Sequence, residues 1–184
     1  AASALTVTGG ISVSALNTLA AKTTGVITGT ISDGDMATLA GITETTNALS
    51  IAVTDASISA TALDALVAKT TGLVNVSATS TLTGTLAEVS STLANTANIS
   101  GVGAMLVSVT DSITVAESVT LDALTTGAIT ATISNTDLDS LSGNGVATID
   151  TLGNGTSANR TVGTYTIGAS DYTTDVNAGS SGAT

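Results

Sequence analysis

The chain has 184 residues and carries 14 Asp and Glu against three Lys and Arg, which gives a formal net charge of −11. This charge argues against nucleic acid as a partner, because phosphate binding requires clustered Lys or Arg. The lack of Cys excludes disulfides and thiolate metal sites. No run of about 18 apolar residues is present, so we expect no membrane insertion.

An internal repeat organises the sequence. Residues 15–25 (ALNTLAAKTTG) return as residues 62–72 (ALDALVAKTTG) and, shortened, as residues 120–127 (TLDALTTG). Weaker half-copies lie between them, so the repeating unit is about 23 residues long. Periods of about 20–50 residues are typical of chains that stack small units to bury a common core.

Each unit opens with apolar residues at every second position, which predicts a strand with one buried face. In chain order these strands are expected near residues 5–7, 27–31, 51–53, 74–76, 107–109 and 129–133. The predicted inward column consists of Val7, Ile31, Val53, Val76, Val109 and Ile133. Second short strands are expected at residues 11–15, 58–62, 82–86 and 113–117.

An apolar pair three residues apart then predicts one or two helical turns in each unit. Leu19, Leu39, Leu66, Leu124 and Leu141 belong to these pairs and are expected to pack a second edge of the core. Ser14 and Thr61 are interpreted as helix N-caps. Gly25, Gly72 and Gly127 are interpreted as the glycines that end the helices.

Together these patterns predict a mainly β fold, a right-handed parallel β-solenoid of about six or seven rungs with short helical turns at its corners. An antiparallel β-sandwich is the alternative, since short strands with frequent turn signals also fit that architecture. We assign residues 1–145 to the repetitive part, with an insertion at residues 93–103. Residues 146–184 are assigned to a terminal rung, a cap or a linking segment.

Acidic residues recur at the predicted corners. Asp33, Asp55 and Asp111, with Asn135, occupy equivalent positions, and Asp137 follows the last of them. Oxygen ligands of this kind suit Ca²⁺, so Asp33, Asp55, Asp111 and Asp137 are the candidate metal ligands. A column of turn-forming carboxylates explains the same pattern without an ion. We expect no other cofactor.

No catalytic constellation emerges from the sequence. A Ser or Cys nucleophile requires a base, and the chain has no His. The carboxylate pairs Asp33 with Asp35 and Asp137 with Asp139 could serve a glycosidase, but helix capping and turn formation account for them. The sequence therefore predicts a protein that is not an enzyme and has no catalytic or cofactor-binding residues.

The segment at residues 62–103 (ALDALVAKTTGLVNVSATSTLTGTLAEVSSTLANTANISGVG) resembles the arrays of very large repetitive surface or secreted proteins of marine cyanobacteria and their phages. The similarity extends over residues 15–145 and includes no catalytic motif. It implies an extracellular or cell-surface location and a structural or adhesive role.

We therefore expect a non-enzymatic extracellular structural module of a repetitive surface protein, filament or fibre. The alternative is an adhesin-like module that binds a glycan or Ca²⁺. Repeats leave unpaired strand edges at the two ends of a stack, so end-to-end self-association is the expected interaction. A cell-surface glycan is the other partner considered.

Overall fold

The structure is a computed structural model that describes residues 3–134 and 161–162. Its strands are β1 Leu5–Ile11, β2 Ile27–Ile31, β3 Ala48–Ala52, β4 Ser57–Ser59, β5 Val74–Asn75, β6 Thr81–Gly84, β7 Ile99–Ser100, β8 Leu106–Ile113, β9 Ile129–Ile133 and β10 Thr161–Val162. Its α-helices are α1 Val13–Ala20, α2 Met36–Leu39, α3 Ala60–Val67, α4 Leu86–Ala94 and α5 Val115–Asp122, with a 3₁₀ turn at Val102–Ala104.

The strands form two parallel sheets with helices between strands. The first sheet has the order β1-β2-β3-β5-β7, and the second has the order β4-β6-β8-β9 with the two-residue β10 beside β9. Each strand therefore lies beside the strand of the next unit along the chain. Unit 1 holds β1 and α1, unit 2 holds β2 and α2, unit 3 holds β3, β4 and α3, unit 4 holds β5, β6 and α4, unit 5 holds β7, β8 and α5, and unit 6 begins with β9.

The predicted mainly β solenoid is wrong, and so is the sandwich alternative. The fold is a mixed parallel α/β fold, because segments expected to form a second short strand followed by one or two helical turns form helices of eight or nine residues in four units. The sandwich fails because every described strand pair is parallel.

Capping side chains explain why these short segments become helices. Ser12 and Ser59 accept hydrogen bonds from the backbone N–H groups of Ala15 and Ala62, at 3.3 and 3.1 Å. Thr85 and Thr114 each form a capping box with the Glu three residues later. Such side chains satisfy N–H groups that a helix start leaves unpaired. The helices thus begin two residues before the positions predicted from Ser14 and Thr61.

The core lies between the two sheets and the helices. Of the predicted inward residues, Ile31, Val53, Val76 and Val109 are buried and Val7 is half-buried, while the side chain of Ile133 lies outside the described part. In the second predicted edge, Leu39 and Leu66 are buried, Leu19 and Leu124 are partly buried, and Leu141 lies outside the described residues.

The domain prediction concerns a boundary at residue 145, which lies outside the described residues. Residues 93–103, predicted to be an insertion, contain the end of α4, the strand β7 and the beginning of the 3₁₀ turn.

Candidate functional site

A carboxylate from one unit caps the helix of the unit before it. Asp33 Oδ2 accepts a hydrogen bond of 2.7 Å from the backbone N–H of Val13, the first residue of α1. Asp55 Oδ2 and Asp111 Oδ1 accept equivalent bonds of 2.8 Å from the first residues of α2 and α4. The first N–H groups of a helix have no partner within the helix and carry partial positive charge. These carboxylates therefore join neighbouring units.

Three of the four candidate calcium ligands are the residues that form these caps, and the fourth, Asp137, lies outside the described residues. Within residues 3–134 and 161–162, no group of three or more His, Cys, Asp and Glu is arranged to hold a metal ion. The assignment of these residues as calcium ligands stays a prediction, and the structure gives each described carboxylate a definite partner in the protein.

The repeated Thr-Thr-Gly motif links the end of a unit to an earlier strand of the same unit. The Thr70 hydroxyl oxygen lies 2.8 Å from both the N–H and the carbonyl oxygen of Leu49 in β3 of unit 3, and it accepts the Gly72 N–H at 2.9 Å. Thr71 adds a backbone bond of 2.9 Å from its N–H to the Asn47 carbonyl. One short polar motif thus binds the backbone at the start of the neighbouring strand.

The other two copies of the motif repeat this arrangement. Thr23 donates to the carbonyl of Ser3 at 3.1 Å and accepts the Gly25 N–H at 3.0 Å. Thr125 donates to the carbonyl of Gly103 at 3.2 Å and accepts the Gly127 N–H at 2.9 Å. In all three copies the first threonine therefore accepts the N–H of its own glycine and donates to a carbonyl near the start of a strand.

The glycine of each motif is required by close approach to the backbone of an earlier segment of its own unit, which corrects its interpretation as a helix end. A Cβ at Gly25, Gly72 or Gly127 would overlap the backbone carbonyl of Ser3, Leu49 or Met105, respectively. Helices α1 and α3 instead end at Ala21 and Ala68, whose backbones are right-handed helical.

Between unit 2 and unit 3, Asn47 stands at the position that the glycine of the Thr-Thr-Gly motif occupies elsewhere. Its Oδ1 accepts the N–H of Ile27 at 2.9 Å, so an amide side chain replaces the threonine hydroxyl as the link to the preceding strand. The residue is 2% exposed, and its Nδ2 has no hydrogen-bond partner among residues 3–134 and 161–162. This link is therefore less completely satisfied than the Thr70 link.

Side chains on α1 and α3 also reach the following unit. The Asn17 amide donates to the Gly41 carbonyl at 2.8 Å, and its Oδ1 accepts from the Thr43 N–H at 3.3 Å. At the equivalent position of α3, Asp64 accepts a bond of 3.1 Å from the Thr92 hydroxyl on α4. One matched position on α1 and α3 therefore bonds to the following unit, to the loop after α2 in the first case and to α4 in the second.

Three carboxylates at helix starts have pKa values below their ordinary range. The backbone N–H of Thr38 lowers the pKa of Asp35, and the backbone N–H of Thr114 lowers that of Glu117. The pKa of Glu88 is lowered by the Thr85 backbone N–H and then by the Thr61 hydroxyl, which donates from α3 at 2.9 Å. Hydrogen bonds to the charged form favour ionisation.

Sequence reasoning identified the acidic positions but missed their partners. The signal for the caps is an Asp that recurs two to four residues before the N-cap of a helix, as with Asp33 before Asp35 and Asp55 before Ser59. The Thr-x-x-Glu capping boxes at Thr85 and Thr114 were also readable from the sequence. The sequence around Gly25, Gly72 and Gly127 contains no local pattern that predicts their close approach to a backbone carbonyl.

No protein-family model, no curated protein and no solved structure matches the chain. Within the described part of the chain, none of the helices has the length and apolar character needed to cross a membrane.

Proposed function

We propose that this chain is a non-enzymatic structural module of a repetitive extracellular surface protein. The observation that carries the proposal is the use of the recurring polar side chains. Asp33, Asp55 and Asp111 bind helix starts of neighbouring units, and Thr70 binds the first strand of its own unit. The aspartates therefore hold the units together and the threonine fixes the path of the chain within a unit, as expected of a module with a structural role.

Filament, fibre and adhesin roles are not part of this proposal, because the mixed parallel α/β fold gives no evidence for them. The proposed role is a defined spacing between other parts of a longer protein. Side chains that bond to the backbone of the next unit favour one fixed arrangement, because each bond constrains both units. The extracellular location rests on the resemblance carried by residues 62–103 and is part of the proposal.

The proposed partner is a second copy of the chain that meets the open edge of the first sheet. Among the described strands β1 is the terminal strand of that sheet, so the N–H and C=O groups on its outer side face away from β2. Unpaired strand edges are sites where another chain can add a strand. Sedimentation velocity over a wide concentration range tests this interaction, and a monomer at every concentration would remove it.

Localisation and calcium titration test the function. An antibody against the chain should label intact cells of the source organism, and external protease should remove the label. Labelling that appears only after lysis would contradict the surface role. Calorimetric titration with Ca²⁺ tests the alternative: a micromolar site that is lost in Asp55→Asn but kept in Glu44→Gln would replace the structural role with calcium binding.

A further inference from the structure

Units 1 and 3 present the same strand surface to the unit that follows, through β1 and β3 of the first sheet, and unit 5 makes a similar contact through β8 of the second sheet. The N–H groups of Leu5, Ile51 and Val107 donate to the carbonyls of Val26, Leu73 and Ala128, at 2.9, 3.1 and 2.8 Å. Each acceptor is the residue that follows a Thr-Thr-Gly motif. The parallel registers agree as well, since these donors pair with Ile27, Val74 and Ile129. The strand contact of unit 1 is therefore repeated by unit 3. Val74 of unit 4 makes a similar contact, its N–H donating to the Asn98 carbonyl at 3.0 Å, so it is the helix contacts that separate units 1 and 3 from their neighbours.

The helix side of this surface also repeats between units 1 and 3. Helices α1 and α3 both have eight residues, begin after a serine N-cap and bury Leu16 and Leu63 at matching positions. Asn17 and Asp64, each five residues after its serine, reach the next unit. Unit 2 differs, because α2 has four residues.

From these matched contacts we infer that unit 1 can accept unit 4 in place of unit 2, so that two units together are the piece by which the fold is lengthened or shortened. The removable piece is residues 26–72. The inference goes beyond the proposed function and does not depend on it, since it concerns which surfaces fit together.

Deletion of residues 26–72 joins Gly25 directly to Leu73. The Thr-Thr-Gly motif of unit 1 then remains opposite Ser3, and β1 receives β5 at the register that β3 has now. Helix α4 packs on α1, where Asn17 replaces Asp64 as the acceptor for the Thr92 hydroxyl. Ser14 stands at the position of Thr61 and offers its hydroxyl to Glu88.

A smaller deletion is the control. Removal of residues 48–72 takes out unit 3 alone and places α2 against α4. A four-residue helix cannot cover the surface of α4 that the eight-residue α3 covers. The links from Thr61 and Asp64 to α4 are also lost without a replacement. The smaller deletion should therefore damage the fold more than the larger one.

The experiment compares urea unfolding and far-ultraviolet circular dichroism of the full chain and both deletion variants. We expect a single cooperative transition for the chain without residues 26–72, and a loss of cooperativity or a much lower midpoint for the chain without residues 48–72. Failure of the larger deletion to unfold cooperatively, or equal behaviour of the two variants, would overturn the inference.

The substitution Asn17→Asp provides a second test, in which the thermal midpoint is measured both in the full chain and in the chain without residues 26–72. In the full chain it removes the amide donor to the Gly41 carbonyl, so the thermal midpoint should fall by about 2–4 °C. In the chain without residues 26–72 the same substitution recreates the Asp64–Thr92 pair and should raise the midpoint. A change of the same sign in both backgrounds would show that α1 does not take the place of α3.

Discussion

Asp33 and Val13 are twenty residues apart in sequence, and the carboxylate of one caps the backbone N–H of the other at 2.7 Å. The bond crosses from unit 2 to unit 1, so the first turn of α1 is completed only when the next unit is in place. The same relationship joins Asp55 to Met36 and Asp111 to Leu86. Helix formation and packing between units are coupled through these bonds.

Removal of a cap between units should destabilise the fold. Asp33→Ala leaves the Val13 N–H without its acceptor, and we expect a loss of about 0.5–2 kcal/mol in the free energy of unfolding, the range for N-cap deletions. Urea denaturation provides the measurement. Glu44→Ala, on an exposed loop residue, is the control and should change stability by less than about 0.5 kcal/mol. Equal effects of the two substitutions would show that the cap is not stabilising.

The glycine of the Thr-Thr-Gly motif should not tolerate a side chain. In Gly72→Ala the new Cβ would overlap the Leu49 carbonyl, and we expect a loss of about 1–3 kcal/mol or more from overpacking. Gly103→Ala is the matched control, because a Cβ at Gly103 has no atom within 4 Å. Thermal unfolding of both variants checks the prediction, which fails if Gly72→Ala melts within a degree of the unsubstituted chain.

Asp33 and Gly72 show which parts of the structure the sequence predicts and which parts it does not. Alternation at Ile51 and Val53 predicted a buried strand face, and both residues are buried. The recurrence of Asp33, Asp55 and Asp111 at equivalent positions was also visible. Their partners were not, because each lies 19 to 25 residues earlier, in a segment predicted to be a short strand or one or two helical turns.

The helices themselves were misjudged for a related reason. Segments such as residues 58–62 combine Ser, Thr, Ala and Ile, which fit a short strand as well as the beginning of a helix. Ser59 decides the outcome by capping Ala62. At Gly72 the sequence is equally compatible with a helix end and with a close approach, and only the tertiary structure places the Leu49 carbonyl against it.

Acid should weaken the capping box of α4. The Thr85 N–H and the Thr61 hydroxyl hold the pKa of Glu88 below its ordinary value of 4.5. The unfolded chain therefore takes up this proton at a higher pH than the folded chain does. The stabilisation is complete above the ordinary pKa and is lost as pH falls through the lower folded pKa.

Glu88→Gln isolates this effect, because the amide keeps a hydrogen-bond acceptor but does not titrate in this range. We expect the unsubstituted chain to be more stable than the variant near neutral pH, and the difference to shrink as pH falls below about 4.5. Thr61→Val should move the loss to higher pH, since one of the groups that lowers the pKa is removed. A stability difference that is independent of pH would contradict this account.

Substitutions in the core should lower the free energy of unfolding much more than substitutions on the surface. Leu66 is 2% exposed, and Leu66→Ala should cost about 2–5 kcal/mol because it leaves a cavity in the packed interior. Thr130 lies on the exposed face of β9, and Thr130→Ala should change stability by less than about 0.5 kcal/mol. Chemical denaturation of both variants separates them, and comparable losses would mean that the inside and outside faces are assigned incorrectly.

Hydrogen exchange at the first residues of the helices tests the central claim, that side chains of each unit complete the backbone bonding of the unit before it. We predict that the amide protons of Val13, Met36 and Leu86 are protected in the unsubstituted chain. In Asp33→Ala, Val13 should lose protection while Met36 and Leu86 keep theirs, because each has its own carboxylate. Rapid exchange of all three amides before any substitution, or an Asp33→Ala effect equal at all three, would contradict the account.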